Sequence, residues 1–480
     1  MSAATPAPSA EPRELAALLA CQRAAFARGA PTYPERMKAL ATLREAMHAR
    51  QEDLVDAVSA DFGGRAREET LLLELLPLHD QIRHARAHLR GWMRRQHVGS
   101  TWFLRPARAF YQYQPLGVVG VVGAWNYQLL LTLGPLVDAI AAGNHVIVKP
   151  SEVTPRSSDA IARLIADAFP PDYITCITGG PDVASAFTSL PFDHLFFTGS
   201  TRVGRLVMQA ASANLTPVTL ELGGKSPAIV HESYPLARAT GRIITGKTFN
   251  AGQTCVAPDY VLLPAGREQA FEEEARRTVA RLHPSLLAND AYSRIVNDHH
   301  YGRLRGLIDD AARQGARIVA LDAANEIGTA QNRMIPPTLV FEPRDTMELM
   351  QEEIFGPVLP VVTYRTLDEA IAYVNARPRP LALYYFDDDA SRQDAVLART
   401  MSGGVTLNDC LYHLGQHNLP FGGVGPSGMG QYHGFDGFMT FSKKRGVMVQ
   451  PRFAATRLLE PPYDDTKRKL IRLVMRLARR

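Results

Sequence analysis

The chain has 480 residues, of which 46% are hydrophobic and 21% are charged, a composition typical of a soluble globular protein with two or three domains. Its 53 basic and 48 acidic residues give a net charge of +5, and the last 14 residues hold seven Lys or Arg and no acid. The remaining sequence is close to neutral, so a nucleic-acid-binding protein is not indicated.

The four cysteines are isolated from one another in the sequence. They are Cys21, Cys176, Cys255 and Cys410. With no C-x-x-C pair and no histidine pair at zinc-finger spacing, we predict neither a disulfide framework nor a metal site, and we expect reduced thiols in a cytoplasmic protein.

No segment has the pattern of a targeting or membrane-spanning sequence. Residues 1–12 are rich in Ala, Pro and Ser and lack the apolar core of a signal peptide, so a disordered tail is expected. The longest apolar stretches, such as 118–122, have the length of a strand and fall short of the roughly 18 to 20 residues that a membrane span needs.

Helical periodicity dominates the first hundred residues. Apolar residues three and four positions apart predict helices over 13–28, 34–60 and 67–95. From residue 108 the period becomes two, and the β-branched run at 118–122 follows, so a strand or hairpin is expected there.

Strands and helices then alternate along the chain. Predicted strands are 145–148, 173–178 and 194–197, with helices at 133–142, 157–168, 181–189 and 201–214. A second cycle has strands near 227–230, 260–263, 317–320 and 358–364. The alternation predicts two α/β domains with parallel-type sheets, and the Gly-rich segment 421–430 is expected to be a loop.

Cys255 is the candidate nucleophile. It lies in an uncharged, Gly-containing segment, 249–257, with no second thiol nearby to share a bond or a metal. The alternative is a cysteine packed as a small hydrophobic residue, and the segment alone favours neither.

Two strand ends are candidates for binding a nucleotide. Gly199, Ser200 and Gly204 follow a predicted strand at a helix start, where free backbone N–H groups favour a phosphate, although the same residues also form ordinary caps. Lys149 and Glu152 end another strand and have the chemistry to bind ribose hydroxyls, or to be a solvated strand end.

Two further side chains have the chemistry that a thiol nucleophile needs. Glu221 closes an apolar strand, where burial would raise the pKa of its carboxyl and make it a general base; the alternative is an ion pair with Lys225. Asn126 offers a neutral amide donor for an oxyanion, or a helix cap.

Seven motifs together resemble, in order and spacing, those of the aldehyde dehydrogenase superfamily. They are residues 125–127, 149–152, 197–204, 220–227, 250–255, 352–357 and 420–423. The resemblance is closest to the class 3 branch, and the runs 255–260 and 375–386 resemble bacterial coniferyl aldehyde dehydrogenases.

The resemblance implies a hydrolytic, non-acylating reaction. Cys255 would attack the aldehyde, Asn126 and the Cys255 N–H would hold the oxyanion, hydride would pass to a nicotinamide, and Glu221 would activate the water that hydrolyses the thioester. Family members that transfer the acyl group to coenzyme A generally lack this Glu. A catalytically silent family member would be expected to have lost one of these three residues.

The resemblance also implies the cofactor site and the architecture. The residues implied to bind the cofactor are Trp125, Lys149, Glu152, Gly199, Ser200, Thr201, Gly204, Leu222, Glu353 and Phe355. The Glu152 carboxylate disfavours a 2′-phosphate, so NAD is expected over NADP, although class 3 enzymes often accept both. The implied parts are an NAD-binding domain (1–106 and 117–220), a catalytic domain (221–430), a β arm that joins a homodimer (107–116 and 437–455) and a basic helical tail (456–480).

The sequence says least about which aldehyde is the substrate. An aromatic, coniferaldehyde-like aldehyde is expected from the subfamily resemblance, with fatty or other aliphatic aldehydes as the alternative. Tyr412, His413 and Phe421 are candidate pocket residues or ordinary packing. Gln128 stands where the family usually has Pro, and this is expected to loosen Asn126 modestly.

The last segment of the chain, 464–480, predicts a basic amphipathic helix. We expect it to dock on the body of the protein near the substrate entrance, as in class 3 relatives. Association with an anionic membrane is the less favoured alternative.

Overall fold

Helices and strands alternate through most of the chain. The computed structural model of the protein describes residues 12–479 except 289, 327–331, 453, 455, 458 and 459, so the predicted disordered tail lies almost wholly outside the described residues. The helices are α1 Pro12–Ala27, α2 Tyr33–Ala49, α3 Gln51–Phe62, α4 Arg67–Thr70, α5 Leu76–Trp92, α6 Gln128–Ala142, α7 Pro155–Ala168, α8 Pro181–Thr188, α9 Thr201–Ser212, α10 Leu236–Thr248, α11 Glu268–Leu282, α12 Asp298–Arg313, α13 Glu348–Gln351, α14 Leu367–Asn375, α15 Ala390–Arg399, α16 Gly434–Thr440 and α17 Asp465–Ala478. The strands are β1 Gln96–Val98, β2 Arg108–Pro115, β3 Val118–Val122, β4 His145–Lys149, β5 Ile174–Cys176, β6 His194–Thr198, β7 Val218–Glu221, β8 Pro227–Val230, β9 Tyr260–Pro264, β10 Arg317–Ala320, β11 Thr338–Phe341, β12 Val358–Tyr364, β13 Ala382–Phe386, β14 Gly404–Leu407, β15 Gly428–Met429 and β16 Ser442–Val449.

The first α/β sheet has the strand order β15-β7-β6-β3-β4-β5. Its neighbours from β7 to β5 pair in parallel, and every residue of β3, β4 and β6 is buried, as expected of strands covered on both faces. The carboxyl ends of these strands meet at one edge, where Thr198 pairs with Glu221 and Val122 with Lys149. This edge therefore gathers the turns after β3, β4, β6 and β7.

The second α/β sheet has the order β10-β11-β12-β9-β8-β13-β14, parallel except for β10 at its edge. The predicted α/β fold class with parallel-type sheets is confirmed. Three strands of this sheet, β11, β13 and β14, were not predicted. In β13 all five residues are apolar, so the period-two alternation that marks a half-buried strand is missing.

The first sheet extends beyond the predicted limits of its domain. Glu221 is the last residue of β7 and so belongs to the first sheet, one residue beyond the limit expected at 220. The Gly-rich segment 421–430 was predicted to be a loop, but it contains β15, which pairs with β7. Backbone hydrogen bonding of Gly428 and Met429 to β7 overrides the low strand propensity of glycine.

The helices of the first hundred residues are interrupted at two places that were not predicted. The single helix expected over 34–60 is wrong, because α2 and α3 are separated at Arg50, whose φ and ψ are −110° and 18°. The helix expected over 67–95 is interrupted by a π-helical turn, Leu71–Leu75. Pro77 follows that turn and has no N–H to continue the regular ladder.

A small antiparallel sheet, β1-β2-β16, stands apart from the two larger sheets. β16 pairs with β2 over eight residue pairs, from Ser442 opposite Pro115 to Val449 opposite Arg108. The strand has no partner on its other side among the described residues, and Met448 and Val449 are exposed. We call this sheet the β arm.

The basic amphipathic helix predicted near the C terminus is α17, which the Asp464 side chain caps by accepting from the Lys467 N–H. None of its described residues is buried, and Leu473, Met475 and Leu477 are about half exposed. The expected docking on the body of the protein is therefore wrong for a single chain. Within residues 12–479, leaving aside the undescribed positions, no helix has the length and apolar character to span a bilayer.

Candidate active site

The nucleophile loop follows α10 and carries Cys255. Asn250 and Ala251 have φ of 48° and 50°, so two successive non-glycine residues adopt the left-handed conformation. Backbone strain of this kind persists where surrounding contacts hold it, and it is common at active sites. Cys255, four positions beyond Ala251, is partly exposed, whereas Cys410 is buried.

The Cys255 thiol is held in its protonated form by its surroundings. Burial, together with the charges of Glu353 and Glu221, raises its pKa to about 12. The backbone N–H groups of Cys255 and Val256 point at the sulfur and lower the pKa. The same N–H groups are placed to donate to an oxygen that forms next to the sulfur.

Asn126 lies against this loop. It is 3% exposed, and its Nδ2 donates to the carbonyl oxygen of Gln253 at 3.1 Å. An Asn amide has two N–H donors, so one stays available to an oxyanion. The alternative assignment of Asn126 as a helix cap is wrong, because Tyr127 occupies the N-cap position of α6. The Tyr127 hydroxyl hydrogen-bonds Thr254 Oγ1 at 2.8 Å, which ties the two segments together.

Glu221 is buried at the end of β7. It is 3% exposed, and neither carboxylate oxygen has a hydrogen-bond partner among the described residues. Burial raises its pKa well above the usual range. The alternative ion pair with Lys225 is wrong, since Lys225 Nζ bonds to the Asp259 carboxylate and to the carbonyl oxygen of Leu349 at 2.7 Å.

Glu221 and Cys255 share one neighbourhood. Burial raises the pKa of the Tyr432 hydroxyl well above its usual range, and the charges of Glu221 and Cys255 both add to the rise. Since Glu221 also acts on the Cys255 thiol, a base and a nucleophile lie within electrostatic reach of each other.

The turn after β6 carries the residues predicted to bind a phosphate. Ser200 is the N-cap of α9, and its Oγ accepts from the Val203 N–H at 3.3 Å. Gly204 packs under Leu222, where an added Cβ would lie 2.6 Å from Leu222 Cδ2. Ser200 therefore caps α9 as the alternative expected. The cap uses the N–H of Val203, and the N–H groups at Thr201, at the start of α9, can still bind an anion.

Lys149 and Glu152 form a pair farther along the same sheet edge. Lys149 is 1% exposed, and its Nζ donates to Glu152 Oε2 at 2.9 Å. The alternative of a solvated strand end is therefore wrong for Lys149. The Glu152 side chain is 37% exposed and is accessible to a ligand.

Glu353 and Phe355 approach the site from the second sheet. The Glu353 carboxylate packs on the turn after β7 so closely that a Cβ on Gly223 would lie 1.9 Å from Oε2, and burial raises its pKa to about 8. Phe355 and Trp125 are in edge contact, with ring centroids 5.2 Å apart. A cleft of about 440 Å³ opens here, lined in part by Thr201, Gly223 and Glu353.

The sequence profile of the aldehyde dehydrogenase family matches residues 4–447. The chain belongs to the aldehyde dehydrogenase family. This aldehyde dehydrogenase is 50% identical to a probable coniferyl aldehyde dehydrogenase of Pseudomonas aeruginosa over 464 residues, which cover 96% of each chain. The resemblance to the family and its coniferyl aldehyde dehydrogenase members is confirmed, and the protein is an oxidoreductase.

Solved structures show the same fold. A substrate-bound Staphylococcus aureus AldH superposes with a TM-score of 0.90 at 38% identity, covering 96% of this chain and 99% of that one. A Mycobacterium tuberculosis aldehyde dehydrogenase complexed with NAD+ has a TM-score of 0.84 at 27% identity, covering 93% and 92% of the two chains.

Gln128 of this aldehyde dehydrogenase begins α6 and is 2% exposed. No protein atom in the described part of the chain hydrogen-bonds its amide. Glu74 Oε2 accepts from the N–H groups of Leu129 and Leu130 at 2.8 and 3.2 Å and so holds the first turn of α6 in place. These bonds oppose the loosening of Asn126 that was expected.

Glu74 and its partners were not recognised in the sequence. Glu74 is fully buried and pairs with Arg65, which is 3% exposed, at 2.9 Å. The sequence does contain one signal for Glu74, because it is the single acid inside the apolar run 71–76. An acid in such a run is rarely buried without a partner, so a buried ion pair could have been predicted. The partner itself gives no comparable signal.

Proposed function

We propose that this enzyme acts in the cytoplasm to oxidise an aromatic, coniferaldehyde-like aldehyde to the carboxylic acid with NAD or NADP, through an acyl group on Cys255. The proposal is carried by the surroundings of one sulfur: two backbone N–H groups point at it, and the charge of the buried Glu221 acts on it. The Asn126 amide lies against the same loop, where it donates to the Gln253 carbonyl oxygen. Nucleophile, oxyanion donors and base are the parts that covalent oxidation of an aldehyde requires.

The first step requires removal of a proton from the thiol. Because the pKa of Cys255 is raised to about 12, the thiolate is scarce at neutral pH until a base accepts the proton. Glu221 is the base we assign, since burial raises the pKa of its carboxyl towards that of a thiol. The thiolate then attacks the carbonyl carbon, and Asn126 with the Cys255 N–H holds the oxygen of the thiohemiacetal.

The second half of the reaction releases the acid. A bound nicotinamide supplies the hydride acceptor, and loss of the hydride leaves a thioester on Cys255. Glu221, after releasing the thiol proton to solvent, takes a proton from water; the resulting hydroxide attacks the thioester carbon, and the sulfur leaves as the Cys255 thiolate. No oxygen of Glu221 is engaged by another described protein group, so both are free to hold water.

The residues implied for the cofactor fit a dinucleotide. The open N terminus of α9 suits a pyrophosphate, and Gly204 keeps α9 close to the strand that follows. Lys149 and Glu152 would hold the adenosine ribose, and Glu353 with Phe355 would hold the nicotinamide end. NAD in the complex of the M. tuberculosis relative supports this assignment.

The aromatic substrate class rests on the similarity to a probable coniferyl aldehyde dehydrogenase. The structure places Tyr412 at 58% exposure, while Phe421 is 4% exposed and stacks on His433 with ring centroids 5.4 Å apart. Phe421 is therefore held by packing, and Tyr412 is the better candidate to contact an incoming ring.

NADH production from a panel of aldehydes tests this proposal. We expect kcat/KM to be at least about tenfold higher for coniferaldehyde than for hexanal, since an aromatic ring buries more apolar surface. NADP in place of NAD should lower kcat/KM, because the Glu152 carboxylate repels a 2′-phosphate. Equal values for coniferaldehyde and hexanal would favour an aliphatic substrate, and release of an acyl-coenzyme A would contradict hydrolysis.

We propose that the β arm joins two copies of this chain. Its edge strand β16 lacks a partner on one side among the described residues and exposes Met448 and Val449, an arrangement that invites strand pairing. Light scattering should give a mass of about twice 52.8 kDa. A monomer across the micromolar concentration range would contradict the proposal, and a Met448→Lys variant should shift the equilibrium toward it.

A further inference from the structure

A buried ion cluster lies directly behind the turn that carries Asn126. Arg65 Nη1 donates to Glu74 Oε1 at 2.9 Å and to the backbone carbonyl oxygen of Asn126 at 3.2 Å. Its guanidinium lies 4.7 Å from the centroid of the Tyr127 ring, and its Nε is 3.7 Å from Glu69 Oε2. One side chain thus joins the Asn126 carbonyl group and the Tyr127 ring to two carboxylates.

The two carboxylates hold the segments on either side of the site. Glu74 accepts from the first free N–H groups of α6, where a negative charge is favoured by the helix dipole. Glu69 accepts from the backbone N–H of Asn250 at 3.2 Å and from Ser293 Oγ at 3.0 Å. The helix after Asn126 and the left-handed turn before Cys255 are therefore anchored to the same cluster.

The Asn126 carbonyl receives two donors in this arrangement. Arg65 Nη1 is one, and Asn250 Nδ2, at 3.0 Å, is the other. A carbonyl has two lone pairs, so the acceptor is fully used and the orientation of its peptide is fixed. With the amide group also bound to Gln253, both ends of Asn126 are constrained.

We propose that Arg65 is a positioning residue: held by Glu69 and Glu74, it fixes the backbone of Asn126. This sets the Asn126 amide at the distance from Cys255 that oxyanion binding requires. The inference rests on the proposed role of Asn126 in the reaction. Arg65 itself acts through the Asn126 backbone and touches no substrate. Displacement of a catalytic group by about 1 Å costs about 100-fold in rate, so a loss of this order is expected when the cluster is broken.

The test is a double-mutant cycle on the full-length enzyme. Arg65→Gln should lower the single-turnover rate of NADH formation about 100-fold, and Arg65→Lys, which keeps the charge but loses the planar contact with Tyr127, about tenfold. In an Asn126→Ala background either change should have less than about a threefold further effect, because Arg65 acts through Asn126. The affinity for NAD and the rate of Cys255 alkylation by iodoacetamide should stay within about twofold, since neither uses the oxyanion donor.

Arg36→Gln is the matched control. Arg36 is also buried, and it donates to the carbonyl oxygens of Pro31 and Ala141, at the opposite end of α6. It should lower the thermal midpoint without lowering the single-turnover rate. If Arg65→Gln does not fold, the double-mutant cycle with Asn126→Ala is measured with Arg65→Lys instead.

The outcomes separate the two proposals. A fully active Arg65→Lys enzyme, or losses that add to those of Asn126→Ala, would overturn the positioning role alone. An Asn126→Ala enzyme as fast as the native protein would instead overturn the oxyanion role on which the inference rests.

Discussion

Replacing Cys255 by serine is expected to lower kcat for aldehyde oxidation by more than about 1,000-fold, since a serine hydroxyl is a far poorer nucleophile than a thiol with the same base. The affinity for NAD should change little, because Cys255 is not among the residues implied to bind the cofactor. The measurement is steady-state NADH production together with a fluorescence titration of NADH binding.

Cys176→Ser is the matched control for this experiment. Like Cys255, Cys176 is a free, partly exposed thiol whose pKa burial raises far above the usual range, and it lies on β5 at the edge of the first sheet. It should retain native activity. If the Cys255→Ser enzyme keeps more than a tenth of the native kcat, or the Cys176→Ser enzyme loses its activity, Cys255 is not the nucleophile.

Glu221→Gln is expected to separate the two halves of the reaction. An amide cannot accept a proton from water, so hydrolysis of the thioester should slow by about 100-fold to 10,000-fold. If the thiol still reacts through its small thiolate fraction, a slow first turnover should load each Cys255 with one acyl group. Intact-protein mass spectrometry would detect this acyl-enzyme, and steady-state NADH production would give the loss of turnover.

The pH dependence gives an independent readout for Glu221. Because burial raises the pKa of Glu221, the basic form increases as the pH rises through that raised value. The rate of acyl-enzyme hydrolysis in the native protein should therefore increase with pH in this range, and the increase should be missing from acyl-enzyme formed on Glu221→Gln.

Glu353→Gln changes the other carboxyl that acts on the Cys255 thiol, and it is the control for this second prediction. It should weaken cofactor use and leave no acyl-enzyme behind. Accumulation of acyl-enzyme in Glu353→Gln, with rapid hydrolysis in Glu221→Gln, would exchange the roles of the two residues.

Much of the site could be predicted because its residues follow strands. Lys149, Gly199 and Glu221 come at or just after the ends of β4, β6 and β7, and parallel strands bring their carboxyl ends to one edge whatever the intervening sequence. Cys255 stood out for a different reason, since its local segment has no charge and no second thiol.

The pairing of buried charges could not be predicted. Lys225 is the near neighbour of Glu221 in the sequence, yet it bonds to Asp259 from the second sheet, and Glu221 is left without a hydrogen-bond partner among the described residues. Arg65 and Glu74 precede the first sheet and meet the Asn126 turn only in the folded chain. Which carboxyl is neutralised and which is left basic depends on these long-range contacts.

The sequence by itself determined the α/β class, the family and the identity of the candidate nucleophile, base and amide donor, because each depends on residue type and local order along the chain. Only the tertiary structure decided that the Asn126 amide faces the Cys255 loop and that, in the described part of the chain, Glu221 has no ion-pair partner and α17 no buried residue. The physical reason is that burial and charge pairing are properties of neighbours in space, and the groups that set the pKa values of Cys255 and Glu221 come from segments far apart in the chain.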